Sequence, residues 1–146
     1  NELYSDKNRS FILGGAYAIP FQDSFFDAAY TVSVWHLFND LQKGAEELSR
    51  ILKSQGNFLI IMANPAAYSL WTSLYENTKL NGKRFEGQVK LSDGSVIHEV
   101  LYLHTLEDNT KSLEAMNLRV QGIETFRTSE KSKGLAQFVL ISGKKM

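Results

Sequence analysis

Residues 19–62, IPFQDSFFDAAYTVSVWHLFNDLQKGAEELSRILKSQGNFLIIM, constrain the fold of this chain more than any other stretch. They read as a turn, an apolar run, a polar loop, an amphipathic segment and a second apolar run. Residues 26–34 mix small and β-branched side chains without alternation, which suits a strand covered on both faces, as in a parallel sheet. Leu41, Ala45, Leu48 and Leu52 recur at spacings of four, three and four, the stripe of a core-facing helix. Asn39 with Gln42 fits a capping box at its start, Arg50 and Lys53 suit its negative end, and Gly56 supplies the stop. Glu46 and Arg50 are spaced to pair on the solvent side. Gly44 is discordant, since glycine inside a helix costs about 1 kcal/mol against alanine. Residues 58–62 form a second buried strand. Strand–helix–strand with short connections is half of a doubly wound α/β domain, with a right-handed crossover.

The flanks extend that reading. Residues 1–10 are a polar tail or helix end, and Phe11, Ile12 and Leu13 a brief strand stopped by Gly14 and Gly15. Downstream, Asn64 caps and Pro65 opens a helix carrying Ala67, Leu70, Trp71 and Leu74 on one side until Asn81-Gly82. Asp93-Gly94 signals a hairpin with a two-residue turn, pairing Leu91 with Val96 and Val89 with His98. Thr105 with Asp108 starts a last helix bearing Leu106, Leu113 and Met116. Residues 120–126 and 135–142 are the final strands, joined by a polar loop over 127–134. The fold expected over residues 1–146 is a single α/β domain. Its sheet is a partial doubly wound, Rossmann-like one with antiparallel C-terminal strands, and the helix and hairpin of 64–104 are an insertion placed like a lid.

Charge and composition narrow the function. Sixteen basic residues balance sixteen acidic ones, so no net field draws the chain to nucleic acid or anionic lipid. Without cysteine there are no disulfides, no thiolate chemistry and no cysteine zinc site, and a reducing compartment, the cytoplasm, is expected. The longest apolar run, 58–63, is too short to span a bilayer, and no charged segment followed by an apolar one opens the chain. His98 and His104 share a strand face but stand too far apart for a compact metal pair, so surface or lid roles and no metal are expected.

Residues 14–27, GGAYAIPFQDSFFD, follow the pattern G-D-A-x-x-L-P-F-x-D-x-x-F-D, and residues 47–56, ELSRILKSQG, follow E-x-x-R-x-L-K-P-G-G. In these two motifs at this separation, residues 11–63 resemble the class I S-adenosylmethionine-dependent methyltransferase family, type 11 domain, and the remainder resembles it more loosely. The resemblance implies S-adenosyl-L-methionine as cofactor and a small-molecule methyl acceptor. Gly15, Ala16 and Tyr17 would border the adenine, and Val32, Ser33 and Val34 the methionyl part. His36 would orient or deprotonate the acceptor. Trp35, Trp71 and Tyr75 would line its pocket, with 64–104 as an acceptor lid. Plainer readings stay open: His36 as a packing histidine, the aromatic residues as core, Asp27 as a loop anchor.

The departures carry expectations of their own. Gly15 stands where the motif's aspartate would accept the adenine amino group, a bond worth about 1.5–3 kcal/mol. Ser54-Gln55 replaces Pro-Gly as loop variation. The family's glycine-rich loop and ribose-binding acid have no counterpart in the sequence. The chain is therefore expected to be the C-terminal two-thirds of a longer domain, inactive alone, whose strand at 26–34 lacks a neighbour. Completion by another chain, as in a homo-oligomer, is the other way to cover that edge. A non-catalytic methyltransferase-like binding or regulatory protein is the alternative function. A nicotinamide-dependent dehydrogenase shares the architecture but neither motif.

Overall fold

A computed structural model describes residues 10–127 and 136–146. Its main sheet has four strands in the order β1-β2-β7-β6. β1 (Phe26–Val32) runs parallel to β2 (Leu52–Ala63), and β7 (Phe138–Lys145) and β6 (Leu118–Phe126) follow antiparallel. α1 (Leu41–Ile51) connects β1 to β2, and α3 (Leu106–Ala115) leads into β6. Alternate residues of β2 and β7, Phe58, Ile60, Met62, Val139 and Ile141, join Leu41, Leu48, Leu113 and Leu118 in one core. The partial doubly wound sheet with an antiparallel ending is the architecture the periodicities indicate.

β1 differs from its reading as a strand covered on both faces. Only the side carrying Phe26 and Ala29 meets the core, while Tyr30 is 77% and Val32 51% exposed. Its only ladder among the described residues is to β2, so its outer edge is open. The strand also stops earlier than expected, because Ser33 turns the backbone into the left-handed region at φ 55°. Phe11, Ile12 and Leu13 form no strand and lie exposed.

Three features of α1 depart from the spacing argument. Asp40, not Asn39, caps the helix by accepting the Lys43 N–H at 3.1 Å. Arg50 pairs with Glu47 rather than Glu46. Gly44 proves to be a packing requirement, since a Cβ there would collide with the Phe38 ring, so the helix accepts glycine to seat an aromatic residue.

The region after β2 differs more. Asn64 caps a 3-10 turn, Pro65–Ala67, followed by a single short helix, α2 (Tyr68–Thr72). The expected helix then gives way to β3 (Glu76–Asn81), and Asn81-Gly82 is the turn into β4 (Arg84–Lys90). With β5 (Val96–Tyr102) these form a separate antiparallel sheet. Its second hairpin pairs Gln88 with His98 and Lys90 with Val96, one residue away from the expected register. The loop holds three residues, Ser92, Asp93 and Gly94, closed by Leu91 N–H to Ser95 O at 2.8 Å, with Gly94 at φ 87°. His104 is buried rather than superficial, its ring nitrogen 2.9 Å from the Phe38 carbonyl. The Thr105–Asp108 capping box forms as its sequence signature indicates. The polar tail over 1–9 and most of the loop over 127–134 lie outside the described residues.

Candidate functional site

A cavity of ≈ 260 Å³ opens at the C-terminal ends of β1 and β2, the edge at which open α/β sheets bind ligands. Ser33 enters it just past β1 and Ala63 at the end of β2, with Tyr68 and Trp71 from α2 opposite. Tyr75, Leu101 and Tyr102 bring in the smaller sheet, and Phe138 the first residue of β7. The turn after β1 explains the wall. Ser33 donates its N–H to Ile61 O at 2.9 Å, the chain bends, and the 3-10 turn Trp35–Leu37 sends Trp35 inward and His36 to the cavity.

His36 Nδ1 is enclosed and has no hydrogen-bond partner among the described residues. Burial holds the His36 pKa below the ordinary histidine value, with the Glu99 carboxylate opposing, so the neutral ring is favoured. Trp71 is fixed by its indole N–H on Gln137 O at 2.9 Å and by an edge-on contact with Phe138. Tyr75 donates its phenol to the Glu99 carboxylate, and burial together with that acceptor raises its pKa. Tyr68 is pushed up to about 12, first by burial and then by Asp108, so it remains a donor at any working pH. Among the described residues the wall is thus aromatic, with neutral polar groups and no charged side chain.

The sequence-predicted residues divide. Ser33, His36, Trp71 and Tyr75 line the cavity together. Trp35 does not; it is 1% exposed and packs on Phe38 at 4.9 Å, because the inward side of its turn faces the hydrophobic core. Val32 and Val34 flank Ser33, partly exposed and outside the cavity wall. Gly15, Ala16 and Tyr17 form a separate turn, closed by Ala18 N–H to Gly15 O at 3.0 Å. Tyr17 donates its hydroxyl to Asn39 and accepts the Asp40 N–H, which fastens this turn beside the start of α1. Of the two glycines only Gly14 is sterically required, since a Cβ there would stand 2.6 Å from Pro20; Gly15 faces open space.

The two sequence motifs meet in one structural unit. Arg50 donates to Ile19 O at 2.9 Å, Phe21 O at 2.7 Å and Asp23 at 2.8 Å, while Glu47 accepts from Arg50 and from the Ile19 N–H. The Arg50 hydrogen bonds hold the Glu47 carboxyl below its usual range. Asp27 anchors the loop as expected, through Lys53 at 2.7 Å. The motif pair therefore shapes the loop that precedes β1 rather than doing chemistry.

Sequence reasoning missed Tyr68, Tyr102 and Phe138. Tyr68, Trp71 and Thr72 recur at helical spacing, a signal that would have found the first. Tyr102 and Phe138 carry no local signal, because only tertiary folding brings them to the cavity. Among the described residues no group of three or more histidine or acidic side chains could hold a metal ion, and no helix is long and apolar enough to cross a membrane.

The family model described as a methyltransferase domain matches residues 1–60. A Bacillus subtilis (strain 168) protein, the uncharacterized methyltransferase YcgJ, is 36% identical over 55 residues, which cover 38% of this chain and 22% of that one. The PH0226 protein of Pyrococcus horikoshii OT3 superposes with TM-score 0.72 at 14% identity, over 95% of this chain and 60% of its own. A SAM-dependent methyltransferase of Methanosarcina mazei does so with TM-score 0.65 at 16% identity, over 91% of this chain and 65% of its own. The chain thus spans less than two-thirds of these relatives, and likeness at such identities is likeness of fold. Residues 1–60 are thus similar to the methyltransferase domain, and the described fold is similar to those of the two solved structures.

Proposed function

We propose that this chain is the acceptor-side part of an S-adenosylmethionine-dependent methyltransferase acting on a small molecule. The observation that carries the reading is the aromatic cavity at the C-terminal ends of β1 and β2, with a neutral, desolvated His36 in its wall. When bound, the cofactor supplies a methyl group activated on a sulfonium. Gly15, Ala16 and Tyr17 would hold its adenine, and Val32, Ser33 and Val34 its methionyl part. The open space at Gly15 and the left-handed bend at Ser33 suit close approach of a ligand to the backbone. His36 would receive the proton of a protic acceptor, Trp71 and Tyr75 would orient it, and the lining without charge would exclude water. The segment 64–104 would cover the acceptor as a lid.

The bare edge of β1, with Tyr30 and Val32 exposed, supports a second part of the proposal: the first half of the cofactor cleft comes from strands outside this sequence. The 146 residues alone would then be inactive, and the working protein would act in the cytoplasm. One observation favours a non-catalytic, methyltransferase-like binding protein instead, namely Gly15 in place of an adenine-binding acid.

Calorimetric titration of the intact protein with S-adenosylmethionine decides between them. Binding is expected, and Gly15→Asp should tighten it by about tenfold or more, the gain from a hydrogen bond to an ionised acceptor. No heat of binding in either protein would overturn the methyltransferase reading and leave the binding-protein one.

A further inference from the structure

We infer that the cavity beside His36 selects an acceptor bearing a positively charged ammonium group; this rests on the reading of that cavity as the acceptor site. Five of its lining residues are aromatic: Tyr68, Trp71, Tyr75, Tyr102 and Phe138. Trp71 and Phe138 meet with their planes at 71°, so the wall is a corner rather than a flat stack, and a compact group placed in it would touch more than one ring. Aromatic faces carry negative charge density and attract ammonium groups, more so when water is excluded.

The charges near the cavity point the same way. Among the described residues no lysine or arginine lines it. A carboxylate or phosphate would find no counter-ion among these lining residues, which in a desolvated site is unfavourable. Glu99 accepts the Tyr75 phenol and its charge is felt at His36, while that of Asp108 is felt at Tyr68. Among the described residues Glu99 forms no ion pair, so its negative charge is not cancelled locally. The polar groups of Trp71 and Thr72 are spent on the backbone of Gln137 and Tyr68, so they do not compete for the ligand. Aromatic faces, a carboxylate in the next layer and no cation form a receptor for an ammonium.

The test uses two probes of nearly equal shape, choline and its uncharged isostere 3,3-dimethylbutan-1-ol, each titrated calorimetrically into the intact protein. Choline should bind at least tenfold more tightly, and Glu99→Gln should lower its affinity several-fold while leaving that of the alcohol unchanged. Equal affinities, preference for the alcohol, or binding of neither probe would overturn the inference without any variant being needed. Titration with S-adenosylmethionine keeps the two questions apart. Cofactor binding without choline preference removes only this inference; choline preference without cofactor binding removes methyl transfer and leaves an ammonium-binding pocket.

Discussion

β2 buries Phe58, Ile60 and Met62 against two helices, whereas every residue of β3 is exposed. β2 is a strand because of what its side chains bury. β3, with the sequence ENTKLN, is a strand because of its backbone ladder with β4. Burial of apolar area is the larger and less interchangeable term, about 1.5–3 kcal/mol for a full-sized side chain. A cross-strand side-chain pair on an exposed hairpin contributes only about 0.2–1 kcal/mol. The main sheet therefore gives a floor to the candidate site, and the smaller sheet reaches its wall through buried Leu101 and half-buried Tyr102 of β5, not through β3.

The largest effect that separates the two is at the core. Ile60→Ala should cost about 2–5 kcal/mol in denaturant unfolding of the intact protein. Leu80→Ala in β3, where the side chain is 64% exposed, should cost less than about 0.5 kcal/mol. Comparable losses at the two positions would show that the smaller sheet buries more than its surface suggests.

Next in size is the Arg50 hub beneath β1. Arg50→Ala leaves Glu47, nearly buried, with the Ile19 N–H and no cation, and should lower the melting temperature at pH 7. Its pH dependence has a definite sign. Glu47 has a lower pKa folded than unfolded, so its contribution is complete above the unfolded value of about 4.3 and fades as pH falls through the folded one. The gap between native and Arg50→Ala melting temperatures should therefore narrow on acidification below that value. A gap independent of pH would mean that Arg50 acts through its carbonyl contacts alone.

Gly44→Ala sharpens the comparison from the helix side. Propensity alone predicts a gain of about 1 kcal/mol. The collision with Phe38 predicts instead a net loss of about 1–3 kcal/mol, read as a lowered melting temperature. The smallest expected change is Gln55→Gly. Gln55 sits at φ 65°, in the position where the family motif carries glycine, so this substitution should stabilise by up to about 1 kcal/mol. A loss there would contradict the left-handed backbone.

Legibility followed the same division. The buried helical stripe and continuous apolar strands of residues 41–62 announce themselves, because core burial repeats with the period of the element. The capping box at Thr105 was legible for a similar reason, its partners being three residues apart. The helix expected over 64–81 failed after Thr72. The apolar residues there kept a helical spacing, yet Asn77 takes a positive φ and the ladder to β4 captures the rest. The register of the second hairpin was misread by one residue because Asp-Gly fits a two-residue turn as well as the last part of a three-residue one. Of the site, Ser33, His36, Trp71 and Tyr75 could be nominated from the chain, but their convergence could not.

What the sequence determined by itself is local: the strand–helix–strand unit, the caps, and a motif pair spaced so that Arg50 and Glu47 can reach the loop after Gly15. Tertiary structure alone decided which aromatic residues share a cavity, that Trp35 belongs to the core, and why Gly44 is glycine. Each of those depends on residues far apart in the chain, such as Phe138 beside Trp71 or Phe38 over Gly44. Periodicity records which side of an element is buried; only the folded chain specifies against what.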